Sequence, residues 1–309
     1  MINQAIQDYL FHCQYEKNLT DKTIRAYRID LSQFTAFLTE RSLEATRLDQ
    51  IDKYQMKAYL KQMTEIARPR TVKRKVASLR AFFNFLEFED RITVSPFRKL
   101  RIKIAQEERL PAVLTLAEVR MLFEYLYKKK QELGVKVTPT QELLIRDIAV
   151  IEMLFATGMR VSELCKLNLG DVDLESGSVL IFGKGRRERL VPLCEPKVLT
   201  SLRTYLQSRG DKQNRADGFF RNRSQVRLSE QSVRFLVEKH TLAAKVTKKV
   251  TPHTFRHTIA TLLLENGMDI RNIQHMLGHS SITTTQIYVK VNTRAQRELL
   301  GRMHPRTLI

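Results

Sequence analysis

The chain has 309 residues, and 53 lysines and arginines outnumber 33 acidic residues, which gives a formal net charge of +20. This charge indicates a polyanionic partner, and nucleic acid is the first candidate. The composition, 43% hydrophobic and 28% charged, is typical of a folded globular protein. No stretch approaches the length of an uncharged transmembrane helix, and no basic amphipathic helix stands alone at either end, so a membrane partner is disfavoured.

The three cysteines, Cys13, Cys165 and Cys194, are far apart in sequence, and no CxxC pair occurs. This spacing favours neither a disulfide framework nor a cysteine-based zinc site. The N-terminal residues lack the basic-then-apolar order of a signal peptide. We therefore expect a cytoplasmic protein whose cysteines are reduced and structural.

Residues 1–92 carry helical patterns. The segment "LTDKTIRAYRIDLSQFTAFLTE" (19–40) predicts a helix with Thr20 at its N-cap. The segment "RPRTVKRKVASLRAFFNFLEF" (68–88) predicts a second helix with one apolar stripe. The stripes consist of Ile24, Tyr27, Leu31, Phe34 and Leu38 in the first helix, and of Val72, Val76, Leu79, Phe83 and Leu86 in the second.

Basic residues cover the opposite side of the second helix: Arg70, Lys73, Arg74 and Arg80. A run of charge is often no more than a solvated face. Residues 66–80, however, hold six basic residues and no acid, and so many like charges repel one another without a partner. We therefore favour a DNA-facing helix, whose binding would depend steeply on salt concentration.

The segment 94–115 predicts a linker, because it has two prolines, mixed charge and no clear apolar period. It divides the chain into a helical first domain, residues 1–105, and a second domain, residues 106–309.

The second domain is predicted to be helical apart from one hairpin. A capping box of Thr115 and Glu118 starts one helix, and residues 141–169 form two helical pieces broken at Gly158. Two short strands within 176–193, joined by the turn "GKGR", predict a β-hairpin. The fold class is therefore mostly α-helical with one small antiparallel sheet.

The segment "TPHTFRHTIATLLLENG" (251–267) places two histidines and an arginine at the start of an apolar helix. Thr251 can cap this helix, and Pro252 suits its first turn. His253 and Arg256 are three residues apart and share a face. The positive end of the helix dipole adds to the charge of Arg256 there and favours an anion.

The second histidine of this segment, His257, is expected to make a buried structural hydrogen bond. Zinc binding by His253 and His257 is disfavoured, because no carboxylate or cysteine completes a recognisable ligand pattern.

Three other motifs supply the remaining candidates for a phosphoryl-transfer site. They are Arg160 with Glu163 to orient it in "ATGMRVSELCKL", Lys184 in "GKGRRERLVPL", and His279 and Tyr288 in "LGHSSITTTQIYVKV". Arginine suits a phosphate because it is always charged and donates two parallel hydrogen bonds. A phosphodiester gains charge in its transition state, which fixed cations stabilise. The set indicates phosphoryl transfer through a covalent tyrosine.

In order and spacing, these motifs resemble the tyrosine site-specific recombinases of the phage-integrase and Xer type. The resemblance spans nearly the whole chain, and it is most specific in "ATGMRVSEL", "GKGRRERLVPL", "HTFRH", "LGHSSITTTQIY" and the terminal "HPR". The N-terminal half matches only in pattern. There the resemblance implies a helical core-binding domain over residues 1–105, with the helix over 70–86 in the major groove. One local departure is the polar connection over 128–142, which is longer than in compact Xer proteins.

The resemblance implies a role for each candidate residue. Tyr288 would attack the scissile phosphate to form a 3′-phosphotyrosyl link, while Arg160 and Arg256 hold the non-bridging oxygens. Lys184 would protonate the leaving 5′-oxygen. His253 would act as general base toward Tyr288, and His279 would donate a hydrogen bond to the phosphate. This chemistry conserves bond energy, so the family requires neither ATP nor a metal.

The resemblance also implies a homo-tetramer on two DNA duplexes, with or without a related recombinase or accessory protein, and strand exchange through a Holliday junction. The tail over 289–309 would dock on a neighbouring protomer. Two alternatives share parts of this description. A type IB topoisomerase or telomere resolvase uses the same phosphate chemistry, and a DNA-binding protein that has lost catalysis would retain only the binding surface.

Overall fold

The computed structural model describes residues 2–41, 48–104, 112–133, 138–183, 188–209 and 217–278. Contacts between residues divide the chain into two compact units, Met1–Arg109 and Leu110–Ile309. Each unit has its own apolar core.

The regular elements in the described part of the first unit are all helical. Its elements are α1 (Ile2–Phe11), which continues as a π-helical turn (His12–Glu16), α2 (Asp21–Glu40), a 3₁₀ turn (Leu48–Gln50), α3 (Lys53–Ile66) and α4 (Pro69–Phe88). The predicted stripe of α4 is buried along its whole length, and that of α2 is buried except for the half-buried Tyr27. Large aromatic side chains fill the core, among them Tyr9, Phe34, Phe82 and Phe83.

The start of α2 differs in detail from the prediction. Thr20 is the N-cap residue, but its side chain makes no hydrogen bond to a backbone amide of the first turn. Its hydroxyl instead lies 3.0 Å from the hydroxyl of Thr23. The helix is thus held by its apolar stripe rather than by this cap.

The predicted linker begins later than its sequence suggests. Phe97 is buried, and Leu100, Ile102 and Ile104 pack against the core of the first unit. These last three residues alternate with the exposed Arg101 and Lys103 in a segment that is neither helix nor strand, so the burial follows a period of two where no helical period exists. Residues 105–111 lie outside the described part of the chain.

The part of the second unit that the structure describes begins with helices and has its sheet in the middle. Its elements are α5 (Leu116–Glu132), α6 (Pro139–Thr157), α7 (Val161–Lys166), a 3₁₀ turn (Leu169–Asp171), β1 (Val172–Asp173), β2 (Ser178–Phe182), β3 (Glu188–Pro192), α8 (Pro196–Arg209), α9 (Glu230–Ala243), α10 (Pro252–Glu265) and α11 (Ile270–Leu277).

Helix α6 forms the centre of the second core. Thr138 caps its N-terminus, and Gly158 ends it in the left-handed conformation with φ of 59°, which confirms the predicted break. The polar connection predicted over 128–142 is shorter than its composition suggests, because α5 runs to Glu132 and α6 begins at Pro139. The capping box of Thr115 and Glu118 is confirmed.

The sheet has three antiparallel strands in the order β1-β2-β3. The predicted hairpin is β2 and β3, paired with Val179 opposite Val191. Strand β1 was not predicted, because it is only two residues long and carries no alternating pattern. Residues 184–187, the predicted turn, lie outside the described residues.

All three cysteines are free thiols. Cys13 and Cys165 are buried, but Cys194 is exposed, so the expectation of a structural role fails for that residue. None of the described helices is both long and apolar enough to cross a membrane.

Candidate active site

The N-terminus of α10 has the predicted cap. Thr251 Oγ1 accepts a hydrogen bond from the backbone N–H of Thr254, 3.2 Å away, and Thr254 Oγ1 accepts one from the N–H of Thr251 at 3.0 Å. Pro252 occupies the first turn, where its missing N–H costs nothing. This rigid start leaves His253 exposed and Arg256 buried at one end of the helix.

Arg256 joins the ends of three helices. Its side chain comes from α10, and its Nη1 donates to the carbonyl of Gly158, after α6, at 2.8 Å. Its Nη2 donates to the carbonyl of Leu277, the last residue of α11, at 2.7 Å. These bonds fix the orientation of a residue that is only 4% exposed.

Arg160 lies just before α7, two residues after Gly158. Glu163 holds it at two points, because its carboxylate accepts from the backbone N–H of Arg160 at 2.8 Å and from Nη1 at 2.8 Å. The side chain of Arg160 is 36% exposed, whereas that of Glu163 is 5% exposed. The predicted orienting role of Glu163 therefore agrees with the hydrogen bonds it makes, and the guanidinium of Arg160 can reach solvent.

Arg189, which lies on β3, was not predicted from the sequence. Its Nη2 donates to Glu163 Oε2 at 2.7 Å and its Nη1 to Oε1 at 3.2 Å. Its Nε donates to the carbonyl of Met276 at 2.8 Å. The sequence signal is the spacing, because Arg189 is two residues before Val191 and alternate residues of a strand share a face. In the structure both are buried, whereas Leu190 between them is exposed. Arginine thus stands at an inward position of a strand.

Three arginines donate to three successive carbonyls at the end of α11. Arg189 binds that of Met276, Arg256 that of Leu277, and Arg160 that of Gly278 at 3.2 Å. The last carbonyls of a helix have no partner within it, and they form the negative end of the helix dipole. The guanidinium groups satisfy both requirements, so α11 ends on a positively charged cluster.

Both histidines of α10 have pKa values below the usual 6.5. For His253, whose side chain stays exposed on one side, the main cause of the lowered pKa is partial loss of solvent, followed by the positive charges of Arg256, Arg234 and Arg160. For His257 burial, followed by His253 and Arg256, lowers the pKa to about 4. Both rings are therefore neutral at pH 7, and a neutral imidazole can accept a proton. The buried hydrogen bond expected for His257 stays a prediction.

The pKa of Glu163 is lowered. Burial alone would raise it, but hydrogen bonds from Arg189 and Arg160 outweigh burial and keep the carboxylate ionised. Because two arginines face one carboxylate, this cluster retains positive charge, which suits an anionic ligand.

The structure thus brings together four of the predicted catalytic or supporting residues: Arg160, Glu163, His253 and Arg256. Arg160 and Arg256 contact the same end of α11, and both lie near enough to His253 for their charges to lower its pKa. The other three candidates, Lys184, His279 and Tyr288, lie outside the described residues. Within the described residues no group of three or more side chains could hold a metal ion.

The four basic residues predicted on α4 are all exposed. Arg74 and Arg80 contact residues of the first unit. Arg74 forms an ion pair with Asp30, and the guanidinium of Arg80 lies 5.6 Å from the ring centre of Phe97. The first turn of α4 contains no acidic residue, so nothing there compensates the positive end of the helix dipole.

Asp30 is a second residue that was not predicted from the sequence. Its side chain is fully buried in α2, and its Oδ2 accepts from Arg74 and, at 2.7 Å, from Ser78 of α4. An acid three residues after Tyr27 and four before Phe34 lies on the buried face of α2, which is the signal that marks it. Asp30 fixes the guanidinium of Arg74 at the surface of α4.

Comparison with known protein families gives a match in each of the two units. The model of the phage integrase family matches residues 118–295, and that of the N-terminal SAM-like domain of phage integrases matches residues 6–90. The chain belongs to the phage integrase family of tyrosine recombinases. This confirms the resemblance seen in the sequence motifs, as well as the mostly helical fold class.

Relatives of this recombinase match it over nearly their full length. It is 39% identical to a tyrosine recombinase of Agathobacter rectalis, over 97% of this chain and 96% of that protein. It is 35% identical to the tyrosine recombinase XerD of Oceanobacillus iheyensis, over 99% of this chain and 100% of that protein. The structure of XerH recombinase bound to difH substrate before cleavage has the same fold, with a TM-score of 0.73, 24% identity, and coverage of 96% and 83% of the two chains.

Proposed function

We propose that this recombinase cuts and rejoins double-stranded DNA at a specific site through a 3′-phosphotyrosine intermediate. The observation that carries the proposal is the cluster at the end of α11, where two fixed arginines lie near a histidine that is neutral at pH 7. Fixed cations stabilise the charge that a phosphodiester gains in its transition state without having to reorganise.

The proposed reaction divides the work among six residues. The hydroxyl of Tyr288 attacks the scissile phosphorus while His253 takes its proton. The bond to the 5′-oxygen breaks, and Lys184 protonates that oxygen, which leaves as a 5′-hydroxyl. Arg160 and Arg256 hold the non-bridging oxygens, and His279 donates a further hydrogen bond. Attack by a 5′-hydroxyl from the partner strand reverses each step and restores Tyr288.

DNA binding in the first unit is proposed for the basic side of α4. Arg70, Lys73, Arg74 and Arg80 are exposed there, and Asp30 holds Arg74 in one orientation. An oriented guanidinium loses less freedom when it binds a phosphate or a base edge. We propose that this helix enters the major groove. Residues 1–105 and residues 106–309 would both bind the same duplex.

The proposed assembly is a homo-tetramer on two duplexes that exchanges strands through a Holliday junction. The relatives named XerD and the structure of XerH on difH DNA support a DNA site as the partner. The relatives are bacterial proteins, and we propose the cytoplasm as the place of action.

The test is a trap for covalent complexes. The protein is incubated with sheared genomic DNA of its source, denatured with detergent, and the DNA still attached to protein is recovered and sequenced. We expect attached DNA from one near-palindromic locus with the wild type. We expect none with Tyr288→Phe, because removing the hydroxyl removes the nucleophile.

A matched control is Tyr54→Phe, which deletes the hydroxyl of an exposed tyrosine in α3. It should trap DNA at the wild-type level. Attached DNA in Tyr288→Phe would contradict the assigned nucleophile, and no attached DNA in the wild type would favour a silent DNA-binding protein. Relaxation of a supercoiled plasmid that lacks the recovered locus would favour the topoisomerase alternative.

A further inference from the structure

We propose that Arg189 is a positioning residue of the cleavage site. It would hold Glu163, and through Glu163 also Arg160, at a fixed position relative to the C-terminal end of α11. His279 follows that end in the sequence. This inference rests on the proposed function and assigns Arg189 no contact with DNA.

The burial of Arg189 shows that its charge serves a specific purpose. Its side chain is 6% exposed, and it shares its face of β3 with Val191, which packs in the apolar core. Removing a cation from water costs several kcal/mol unless its partners replace the lost hydration. An aliphatic residue would fill this strand position without a desolvation penalty. The hydrogen bonds that the guanidinium donates therefore explain why an arginine stands here.

Those donors reach two different elements. Two of them bind the two carboxylate oxygens of Glu163 in α7, at 2.7 and 3.2 Å, and the third binds the carbonyl of Met276 in α11. Glu163 uses the same two oxygens to hold the N–H and the guanidinium of Arg160. A single side chain from the sheet therefore fixes the orientation of Glu163 and its distance from α11.

The end of α11 is shaped around this arginine. Gly278 has φ of 65°, and a Cβ placed on it would lie 2.9 Å from Nη1 of Arg189 and 3.1 Å from Cζ. Only a residue without a side chain fits against the guanidinium in this conformation. The backbone that leads into His279 thus rests directly on Arg189.

The first test measures the rate of covalent complex formation on the DNA site recovered by trapping, with DNA affinity measured alongside. Arg189→Met should slow cleavage about 100-fold, because small misplacements of catalytic groups cost that much, and it should leave DNA affinity unchanged. Arg189→Lys, which keeps one charged donor, should give an intermediate rate. The lysine variant also serves as the informative one if the methionine variant fails to fold.

Arg209→Met is the matched structural control. Arg209 is also buried and donates to two backbone carbonyls, those of Gly218 and Phe219, at 2.8 and 2.9 Å. Its loss should reduce stability without slowing cleavage by the folded protein. Equal slowing by the Arg209 and Arg189 variants would overturn the proposal, because burial alone would then account for both.

A double variant separates action through Glu163 from an independent effect. If Arg189 acts through Glu163, Arg189→Met combined with Glu163→Gln should cleave no more slowly than the slower single variant. Multiplied losses would overturn the proposal.

Hydrogen exchange provides a readout that needs no cleavage. The amide of Gly278 donates to the carbonyls of Gln274 and His275, so its exchange reports on the end of α11. Arg189→Met should accelerate exchange at this amide, and Arg209→Met should not. Unchanged exchange in Arg189→Met would overturn the inference about Arg189. Failure of the wild type to form a covalent complex would refute only the proposed function, so the two failures can be told apart.

Discussion

Arginine has two different tasks in this site, and its surroundings distinguish them. The side chain of Arg160 is 36% exposed, whereas that of Arg189 is 6% exposed and donates from all three of its nitrogens to Glu163 and the carbonyl of Met276. Glu163 lies between them and binds both. The single carboxylate therefore couples a residue proposed to bind phosphate to a residue proposed only to hold position.

The pH dependence of cleavage should follow the environment of His253. Because the pKa of His253 lies below 6.5, the proposed base is available at pH 7, and the cleavage rate should fall only when the pH drops through this lowered value. Arg234 lowers this pKa and Glu230 raises it. Arg234→Gln should therefore move the acid limb of the pH–rate profile to higher pH, and Glu230→Gln should move it to lower pH.

Single-turnover trapping across a pH series measures this limb. Arg234 and Glu230 form an ion pair with each other at 3.1 Å. Each variant removes one charge of this pair, so the two variants should shift the pKa of His253 in opposite directions. Shifts of the same sign in both variants would show that the limb belongs to another group.

The second histidine of α10 should make stability depend on pH. Between pH 6.5 and about 4 the unfolded chain binds a proton at His257, whereas the folded chain does not. The free energy of unfolding should therefore fall as the pH decreases through this window. Denaturant titrations of wild type and His257→Gln at pH 6.5 and 5.5 measure it, and the variant should show the smaller fall.

At the scale of elements, the glycine between α6 and α7 is where three helices meet. Gly158 has φ of 59°, and a Cβ there would lie 2.5 Å from Cδ2 of Leu277 and 2.9 Å from Cγ2 of Ile259. Its carbonyl also accepts from Arg256. The close approach of α10 and α11 to this turn thus depends on the absence of a side chain.

Gly158→Ala should lower the free energy of unfolding by about 2–4 kcal/mol, since it combines left-handed strain with overpacking. Gly267→Ala is the matched control, because Gly267 also has a positive φ but a Cβ placed on it would meet nothing within 4 Å. It should cost only the backbone strain, about 1–2 kcal/mol. Chemical denaturation measures both, and equal losses would contradict the role given to close packing.

The sequence predicts this architecture unevenly, and the reasons are physical. The stripe of α4 and the caps at Thr115 and Thr251 are local patterns, and the structure confirms them. Arg189 and Asp30 were not predicted because their partners lie 26 and 44 residues away. The periodicity of a helix or strand predicts that a charged residue lies on the buried face. The partner of that charge is far away in the sequence and becomes known only from the three-dimensional structure.

At the scale of the whole molecule, positive charge is concentrated where DNA is proposed to bind. The chain carries a net charge of +20, and residues 66–80 contribute six cations without an acid. Each phosphate neutralised by a lysine or arginine releases counterions, so DNA affinity should fall linearly with salt on logarithmic axes.

Arg70→Ala should weaken DNA binding at low salt and reduce the slope of this plot by about 1. Fluorescence anisotropy with a duplex of arbitrary sequence, over a series of salt concentrations, measures the slope. Lys197→Ala removes an exposed lysine of α8 that lies near Glu152 instead of within the basic run. If both variants lose the same slope, net charge rather than α4 determines binding.

The different exposure of the cysteines allows selective labelling of the active protein. Cys13 and Cys165 are buried, and burial raises the pKa of both thiols, that of Cys165 to about 12. Cys194, two residues after the end of β3, is the exposed one of the three. A maleimide dye on the folded wild-type protein therefore marks the edge of the sheet, five residues along the chain from Arg189. Fluorescence from that dye can follow the strand in real time during a reaction on DNA, without any engineered substitution.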